Sequence, residues 1–506
     1  MTRRELLARA AGLSLSAVLG GCSLGGSGKS GGTTTGTVPP PPKKPPRAPT
    51  LRELESQLRG PLLRPGSSAF SSARTIENER YASIRPHAIA VAHGEEDVAR
   101  CVRFASRSAL PFAVRSGGHS YAGYSMSSGL VCDVRRLDSI RIAPDGRSVT
   151  VGAGALAIDL ISTLAERGLA VPTGSCPTVG ISGLALGGGV GFAGRVMGAT
   201  CDTIEAVRIV TADGKIVTAD PRTNEDLYWA CRGGGGGNFG AVTALTLRTH
   251  PVDSAAYGFC SFPWSQAAEA VAAWQGLAPH GPAELYLICA LETGSAEPTV
   301  RVFGQLLGGS DGSLQALMAP VTAVAGSSLS TGSGRYLDVQ RIWAGCSGES
   351  DEACRELRPS AFAAKSAYCD RPLPAAGAQA IVAAVEERQA EGSGTGAVLL
   401  DPYGGALGRP APDATAFVHR DQLYSAQLLA YWTSADGAAA ADRWLAGLAR
   451  ALRPYTSGQA YQNYIDPDLA GWQRAYYGEN LARLREIKAR YDPDEVFRFA
   501  QSIPPA

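Results

Sequence analysis

Residues 115–125 have the sequence RSGGHSYAGYS, which follows directly on a short apolar run and decides how the rest of the chain is interpreted. Upstream, residues 88–91 and 111–115 are typical of strands and residues 95–106 of a helix, so the pattern predicts a β-α-β unit. Paired glycines after a strand let backbone N–H groups turn towards an anion, as in the nests that bind pyrophosphate. This stretch therefore predicts a phosphate-bearing cofactor beside the second strand.

A second glycine cluster follows at residues 174–191, with the sequence GSCPTVGISGLALGGGVG. Residues 189–194 match the dinucleotide fingerprint G-x-G-x-x-G, but that fingerprint needs a β-branched strand immediately before it and a helix that opens within it. Because residues 180–189 are broken by glycines, a Rossmann NAD site is disfavoured. The 61 glycines of the chain are clustered rather than periodic, which excludes collagen and indicates close backbone approach to a ligand.

Composition excludes several classes of function. The 506 residues can form a large core, and 47 basic against 46 acidic side chains leave a formal charge of +1, which disfavours a nucleic-acid-binding protein. No uninterrupted apolar stretch of about 20 residues occurs, so a polytopic membrane protein is excluded. Cys346, Cys354 and Cys369 lie close together in sequence, and an exported protein could pair two of them. Since no Cys-x-x-Cys spacing or nearby histidine accompanies them, we predict no metal site.

The first 22 residues have the build of an export signal. Arg3 and Arg4 precede a short apolar run that ends in Leu-Gly-Gly and Cys22. The arginine pair resembles a twin-arginine signal and the cysteine motif resembles a bacterial lipobox, in which Cys22 becomes the lipid-modified first residue. Residues 23–50 are rich in Gly, Ser, Thr and Pro and predict a disordered tether. We therefore expect a protein that is exported and lipid-anchored on the outer face of the cell envelope; an ordinary buried helix is the alternative.

Seven motifs together resemble, in collinear order, the FAD-linked oxidases of the berberine bridge enzyme type, within the vanillyl-alcohol-oxidase or p-cresol-methylhydroxylase superfamily. The resemblance covers roughly residues 75 to 506. Besides the two glycine-rich stretches, it rests on NEDLYWACRGGGGGNFGAVTALTLRTHP at 224–251, DPYGG at 401–405, TAFVHR at 415–420, YQNYID at 461–466 and YYGENLARLREIKARYDPDEVFRFAQSIP at 476–504.

The resemblance implies an α+β fold. It consists of a two-part FAD-binding domain of the p-cresol-methylhydroxylase type and a substrate domain with an antiparallel sheet backed by helices. We place the FAD-binding domain at 51–250, the substrate-binding domain at 251–440 and a C-terminal segment that returns to the FAD-binding domain at 441–506. Strand-like runs at 285–290 and 300–303 and alanine-rich helical runs at 376–390 and 438–452 favour this arrangement.

The resemblance also implies that FAD is bound covalently. His119 matches the histidine that bonds to the 8α carbon of the flavin, and Cys176 matches the cysteine that bonds to ring carbon 6. A satisfied loop histidine and a buried structural thiol are the respective alternatives. The other residues expected at the cofactor are Arg115, Ser116, Gly117, Gly118, Ser120, Gly174, Val179, Gly180, Gly183, Gly187, Gly188, Gly189, Gly191 and Asn463.

Tyr464 matches the proton-abstracting base of many members, although others use a glutamate elsewhere and simple aromatic packing is an alternative. Because a free tyrosine has a pKa near ~10, a base role requires a depressed pKa. Asp401 and Tyr403 are candidates to support the base or line the pocket. In similar enzymes, valine three residues after the flavin-linked cysteine goes with oxidases and bulkier residues with dehydrogenases. Val179 has that place here, and Gly174 leaves the opposite wall open.

We therefore expect an exported flavoprotein oxidase that takes a hydride from an alcohol, a hemiacetal or another activated C–H of a carbohydrate or secondary metabolite. Oxygen would reoxidise the flavin and give hydrogen peroxide. The alternatives are a related FAD-dependent dehydrogenase with another acceptor and a non-catalytic surface lipoprotein. The expected partners are a small-molecule substrate and oxygen, with no nucleic acid and no membrane contact except a lipid anchor at Cys22.

Overall fold

A computed structural model describes residues 48–108, 110–434 and 436–506 of the chain. The predicted export signal at 1–22 and nearly all of the predicted tether lie outside the described residues. Among the residues that are described, no helix has both the length and the apolar character that a membrane crossing requires.

The first part of the FAD-binding domain is a four-stranded sheet in the order β1-β2-β4-β3. Its strands are β1 Leu62–Leu63, β2 Ala88–Val91, β3 Phe112–Arg115 and β4 Leu130–Asp133. A helix at Glu95–Ser108 connects β2 to β3 and begins with three acidic residues, which the positive end of the helix dipole favours. The predicted β-α-β unit is thus confirmed, and β4 lies between its two strands and pairs with both in parallel.

The second part is a five-stranded antiparallel sheet in the order β5-β6-β10-β8-β9. A two-stranded ribbon pairs β7 with β11 beside it. The strands are β5 Ile140–Ile142, β6 Ser148–Gly152, β7 Leu169–Ala170, β8 Ile204–Val210, β9 Ile216–Ala219, β10 Ala241–Arg248 and β11 His250–Pro251. The second glycine cluster connects β7 to β8, and its Gly180 packs against Gly117 after β3, so the cluster lies where the two parts of the domain meet.

The substrate domain is built on a seven-stranded antiparallel sheet in the order β15-β12-β14-β13-β17-β18-β16. The strands are β12 Ser254–Phe262, β13 Leu285–Glu292, β14 Thr299–Leu307, β15 Ser328–Arg335, β16 Ala361–Cys369, β17 Thr395–Pro402 and β18 Tyr424–Trp432. Because side chains alternate between the faces of a strand, Leu287 packs with Trp274 and Ile381 of the backing helices, whereas Tyr286 and Ile288 face the other way. The predicted antiparallel sheet backed by helices is confirmed.

The α-helices of the described residues vary widely in length. In chain order they are α1 Leu51–Glu55, α2 Ser68–Ala73, α3 Glu95–Ser108, α4 Ala157–Ala165, α5 Ile181–Leu186, α6 Gly194–Met197, α7 Glu225–Ala230, α8 Ala267–Leu277, α9 Asp311–Leu317, α10 Ala319–Thr322, α11 Tyr336–Ala344, α12 Asp351–Cys354, α13 Ala375–Glu391, α14 Gly437–Leu452, α15 Trp472–Tyr477 and α16 Leu481–Tyr491.

The chain returns to the FAD-binding domain later than predicted. The predicted boundary at 440 falls inside α14, and this helix buries Trp444 and Leu448 in the core of the substrate domain. An amphipathic helix packs along its whole apolar stripe, so it cannot be divided between two cores. From about residue 460 the chain packs into the FAD-binding core, where Tyr461 and Tyr476 are buried.

A disulfide joins Cys346 to Cys354, with 5.7 Å between their Cα atoms. This is one of the pairings that the sequence left open, and it ties the segment after α11 to the end of α12. Cys369 is buried separately at the end of β16.

Candidate active site

A cavity of about 800 Å³ lies between the FAD-binding domain and the face of the substrate sheet that is opposite its backing helices. Its walls come from the two glycine-rich loops at 116–121 and 174–180, from the glycine run at 235–238 and from the C-terminal segment at 461–465. Motifs that lie far apart in the sequence thus form one site, because the loops that carry them meet at the junction of the sheets.

The two glycine-rich loops touch each other backbone to backbone. A Cβ atom on Gly117 would lie 2.3 Å from the backbone nitrogen of Gly180, so a side chain at this position would push the loops apart. A Cβ on Gly183 would meet nothing within 4 Å, so this residue is open to the cavity. The buried hydroxyls of Tyr124 and Ser125 also line the cavity and have no hydrogen-bond partner within residues 48–108, 110–434 and 436–506. A long cavity with close backbone approach and unsatisfied hydroxyls fits a bound dinucleotide such as FAD.

His119 and Cys176 line the same cavity. The Nε2 atom of His119 lies 2.8 Å from the hydroxyl of Thr178 and 4.0 Å from a carboxylate oxygen of Glu77. Cys176 begins a turn in which the backbone N–H of Val179 donates to the Cys176 carbonyl. The structure therefore brings together the two residues that the sequence predicts as flavin attachment points.

The turn that carries Cys176 is fixed to the start of α4. The backbone N–H of Ala157 donates to the Val179 carbonyl at 2.9 Å, and that of Ile158 donates to the Pro177 carbonyl at 3.1 Å. Val179 is only partly buried and lines the cavity, as Gly174 does.

Arg115 does not line the cavity, which corrects its prediction as a cofactor residue. Its guanidinium is buried behind the first glycine-rich loop and donates hydrogen bonds to the carbonyls of Ala73 and Thr75. Burial lowers the pKa of Arg115 to about 10. A Cβ on Gly118 would lie 3.2 Å from the Arg115 Nε atom, so the guanidinium packs directly beneath the loop and supports it rather than contacting a ligand.

Three glycines of the second cluster are also corrected, because Gly187, Gly188 and Gly189 pack against protein rather than line the cavity. A Cβ on Gly187 would lie 2.0 Å from the side-chain oxygen of Asn463, and one on Gly188 would lie 2.8 Å from the ring of Phe417. A Cβ on Gly189 would lie 2.2 Å from the hydroxyl oxygen of Thr200. Gly187 thus lets Asn463 of the C-terminal segment approach the FAD-binding domain, whereas Gly188 and Gly189 make room for Phe417 and Thr200. The remaining predicted cofactor residues, which are Ser116, Gly117, Gly118, Ser120, Gly174, Gly180, Gly183, Gly191 and Asn463, do line the cavity.

At the end of the cavity next to the substrate sheet, Tyr464 stacks on Tyr121 with 5.5 Å between ring centroids and an interplanar angle of 14°. The preceding residue, Asn463, anchors the segment that carries Tyr464, because its amide donates to the Leu184 carbonyl at 3.0 Å. Asp401 reaches the same end of the cavity from β17 and accepts a hydrogen bond of 3.2 Å from the Tyr286 hydroxyl. This end of the cavity thus has three phenols, those of Tyr121, Tyr286 and Tyr464, and the carboxylate of Asp401.

The electrostatics at this end differ from what a tyrosine base was predicted to need. Burial raises the pKa of Tyr464 well above its ordinary value, and the charge of Asp401 raises it further. The pKa of Tyr286 is raised for the same two reasons. Both phenols are therefore protonated at neutral pH, and a proton can leave Tyr464 only if another group accepts it at the same time.

Tyr403 does not reach the cavity, which corrects its prediction as a catalytic residue. It is buried, and its hydroxyl lies 2.8 Å from that of Tyr368. Burial raises the pKa of Tyr403 well above its ordinary value. The strand β17 ends at Pro402, so the alternation that brings Asp401 to the cavity no longer applies at Tyr403.

Sequence analysis missed the aromatic walls of the substrate cleft. On one side Trp343 stacks on Phe192, with 4.5 Å between ring centroids, and on the other side Tyr121 contacts the edge of Phe362 at 4.9 Å. The floor between them carries polar groups among apolar side chains. These are Gln427, which donates to the Tyr121 hydroxyl at 2.8 Å, Thr395, Asp401 and an ion pair. The remaining lining residues of the walls and floor are Phe259, Ile288, Glu292, Arg301, Phe303, Ala397, Leu399, Leu429 and Tyr431.

The ion pair on the floor joins Arg301 to Glu292. The Arg301 guanidinium also lies 5.8 Å from the ring centroid of Phe303. The only sequence signal for the floor and walls is the alternation within each strand. That alternation identifies which residues share a face, but it cannot show which face is left bare.

The fold and the site together define an FAD-linked oxidoreductase whose flavin cavity opens directly on a substrate sheet. A family described as "FAD binding domain" matches residues 86–220, and one described as "Berberine and berberine like" matches residues 460–504. The chain belongs to the berberine bridge enzyme-like family of FAD-linked oxidoreductases.

Relatives of this family align over nearly the whole chain. The FAD-linked oxidoreductase YgaK of Bacillus subtilis is 32% identical over 462 residues, which cover 89% of this chain and 98% of the relative. Among solved structures, BBE-like 1 of Physcomitrella patens is 30% identical, covers 90% of this chain and 100% of its own, and superposes with a TM-score of 0.84. A chitooligosaccharide oxidase is 26% identical, with a TM-score of 0.82 and coverage of 90% of this chain and 99% of its own.

Proposed function

We propose that this protein is a flavoprotein oxidase that holds FAD covalently through His119 and Cys176 and oxidises an alcohol or hemiacetal carbon. The observation that carries the proposal is that one cavity is lined by both predicted attachment residues and, towards the substrate sheet, by Tyr464 and Asp401. When bound, FAD supplies the chemistry that the side chains lack, since it accepts a hydride from the substrate carbon.

The proton of the substrate hydroxyl leaves through Tyr464. Because the pKa of Tyr464 is raised by burial and by Asp401, its phenolate is not the resting form. The phenol oxygen therefore takes the substrate proton while its own proton passes towards Asp401, so that no isolated phenolate forms. Tyr286 keeps the Asp401 carboxylate oriented through its hydrogen bond. This assigns a proton-accepting role to Asp401 and a relay role to Tyr464.

The aromatic walls favour a substrate that contains a ring. Flat aromatic side chains on both sides of the floor can stack on an aromatic ring or on the C–H face of a sugar ring. Two solved relatives carry the names chitooligosaccharide oxidase and xylooligosaccharide oxidase, which supports a cyclic hemiacetal. We propose either a sugar hemiacetal or an aromatic alcohol as the substrate.

Oxygen is the proposed electron acceptor. Val179 lines the cavity next to Cys176, and a Cβ on Gly174 would meet no atom closer than 3.8 Å, so both residues leave room beside the flavin site. Reoxidation by oxygen would give hydrogen peroxide. The second candidate is a dehydrogenase that passes electrons to a dye or quinone, and the same substrate with a different acceptor would distinguish it.

Two experiments test the proposed function. Acid-precipitated protein should stay yellow, and the His119→Ala and Cys176→Ala variants should each keep flavin through the other residue, whereas the double variant should release it. A peroxide screen over sugars, phenolic alcohols, alkaloids and polyketide glycosides should find a substrate. Full release of flavin from the unmodified protein would contradict the covalent proposal, and fast turnover with a dye but not with oxygen would contradict the oxidase.

We also propose that the protein is exported and anchored by lipid at Cys22. The support is the sequence of residues 1–22 alone, with its arginine pair, short apolar run and lipobox. Mature protein should begin at Cys22 and partition into detergent. Replacement of Arg3 and Arg4 by lysine should retain it in the cytoplasm, and continued export would favour the general secretory route.

A further inference from the structure

His119 has more polar contacts than its proposed role as a flavin attachment point alone would require. Its Nε2 atom lies 2.8 Å from the Thr178 hydroxyl and 4.0 Å from a carboxylate oxygen of Glu77, so two side chains converge on one ring nitrogen. Both Glu77 and Thr178 line the cavity together with His119. Neither Glu77 nor Thr178 is among the residues that the sequence analysis predicts to contact the flavin.

The backbone on both sides holds Glu77 in place. Its N–H donates to the Gly118 carbonyl at 3.2 Å, in the loop that carries His119, and its own carbonyl accepts from the N–H of Ser360 at 3.0 Å. The next residue, Asn78, is fully buried and donates from its amide to the carbonyl of Tyr121 at 2.8 Å. The position of the Glu77 carboxylate near the imidazole is therefore fixed by the fold and is not a chance surface contact.

Arg115 holds the segment before Glu77. It donates hydrogen bonds to the carbonyls of Ala73 and Thr75 from behind the loop. This explains why a buried arginine precedes the glycine pair although it does not reach the cavity. The backbone of Thr178 packs closely against the loop that carries His119, because a Cβ on Gly117 would lie 2.7 Å from the Thr178 carbonyl oxygen.

We propose that Thr178 and Glu77 prepare His119 for covalent attachment of the flavin, as positioning residues for the attachment reaction. Thr178 accepts the Nε2–H of His119, which fixes the tautomer that has its lone pair on Nδ1. Glu77 stabilises the positive charge that the ring carries once Nδ1 bonds to the 8α carbon. This inference rests on the proposed covalent function.

The attachment reaction balances without any group beyond FAD and oxygen. The 8α methyl loses a proton, a C–N bond forms between that carbon and the imidazole nitrogen, and the electron pair of the broken C–H bond passes into the ring system. The methyl proton and the imidazole proton accompany these two electrons, so the attached flavin is reduced. Dioxygen then accepts two electrons and two protons and leaves as hydrogen peroxide, which restores the oxidised flavin.

The test separates the two covalent bonds. In a Cys176→Ala background only the His119 bond can retain flavin, so in-gel flavin fluorescence and intact mass of the full chain report that bond alone. Adding Glu77→Gln should slow attachment about tenfold or more, since a negative charge about 4 Å from a forming cation is lost. Thr178→Val should do the same, and Thr178→Ser should restore the rate because it keeps the hydroxyl. Glu79→Gln, in the same segment but exposed, is the matched control.

A second background shows whether the effect is specific to His119. In a His119→Ala background, Glu77→Gln should leave the Cys176 bond at the level of His119→Ala alone, which would show that the flavin site is intact. If the Cys176→Ala variant already lacks covalent flavin, the proposed attachment through His119 is wrong. If it carries flavin and the added Glu77→Gln and Thr178→Val changes carry it equally fast, the positioning role is wrong. Equal loss of both bonds would also refute that role in favour of a structural one.

Discussion

The proton relay from Tyr464 to Asp401 gives a sharp prediction for Asp401→Asn. The amide has nearly the same shape as the carboxylate and keeps an oxygen that can accept the 3.2 Å hydrogen bond from Tyr286. The fold and the flavin spectrum should therefore be unchanged. Flavin reduction should slow by about 10² to 10⁴, the usual weight of a general base. That loss corresponds to about 3 to 5 kcal/mol of activation free energy.

The same variant should change the dependence of the rate on pH. In the unmodified protein the negative charge of Asp401 adds to the effect of burial and raises the pKa of Tyr464. Removing that charge lowers this pKa towards its ordinary value, so more phenolate forms at alkaline pH. The residual activity of Asp401→Asn should therefore rise with pH more steeply than the activity of the unmodified protein.

Anaerobic stopped-flow reduction, with the substrate found in the peroxide screen, measures both effects. Tyr464→Phe is the companion variant, and the double variant should be no slower than the slower single variant, because residues that act as one unit are not additive. Two findings would refute the relay: a reduction rate in Asp401→Asn within about threefold of the unmodified protein, or losses that multiply in the double variant. Either would return Tyr464 to an aromatic packing role or make the two residues independent.

Three further outcomes follow from named contacts. Val179→Leu should slow reoxidation by oxygen by orders of magnitude and spare reduction, because it adds a methylene to a wall of the cavity that we propose to hold the flavin, and stopped-flow reoxidation measures this. Gly117→Ala should lower the flavin-to-protein ratio, because its Cβ would lie 2.3 Å from the backbone nitrogen of Gly180, whereas Gly276→Ala, with no atom within 4 Å, should not. Arg195→Met should lower the free energy of unfolding by roughly 3 kcal/mol, because the guanidinium donates to the carbonyls of residues 278, 279, 281, 282 and 285, and denaturant titration with Arg195→Lys as comparison measures this.

The parts of the molecule that repeat a local pattern could be predicted from the sequence. The strands and helix at the start of the FAD-binding domain follow from periodicity, and the meeting of His119 and Cys176 in one cavity follows from the motifs around them. The substrate domain was also predicted at the level of its elements, since β13 and β14 contain the two predicted strand-like runs. Local sequence reports local structure well when each element has one apolar face.

Predictions failed where one motif contains residues with different surroundings. Arg115 opens the first glycine-rich motif and Tyr403 lies in the middle of another, yet both side chains are buried away from the cavity. Gly187 is in a run of glycines of which only some face the ligand, because its neighbour is Asn463 of the C-terminal segment. A motif identifies which segments meet, but the packing of distant segments decides which side chains face the cavity.

The polar residues of the substrate cleft could not be predicted from the sequence. They come from separate strands, with Glu292 on β13, Arg301 on β14, Asp401 on β17 and Gln427 on β18. Where β13 pairs with β14, Arg301 lies opposite Ala290. Two residues further along β13, Ile288 lies opposite Phe303. Strands lie about 4.8 Å apart and rise about 3.3 Å per residue, so the ion pair on the floor lies on the order of 10 Å from the proton relay at Asp401. The ion pair and the proposed proton relay therefore lie at separate places in the cleft, and no single stretch of the sequence contains both.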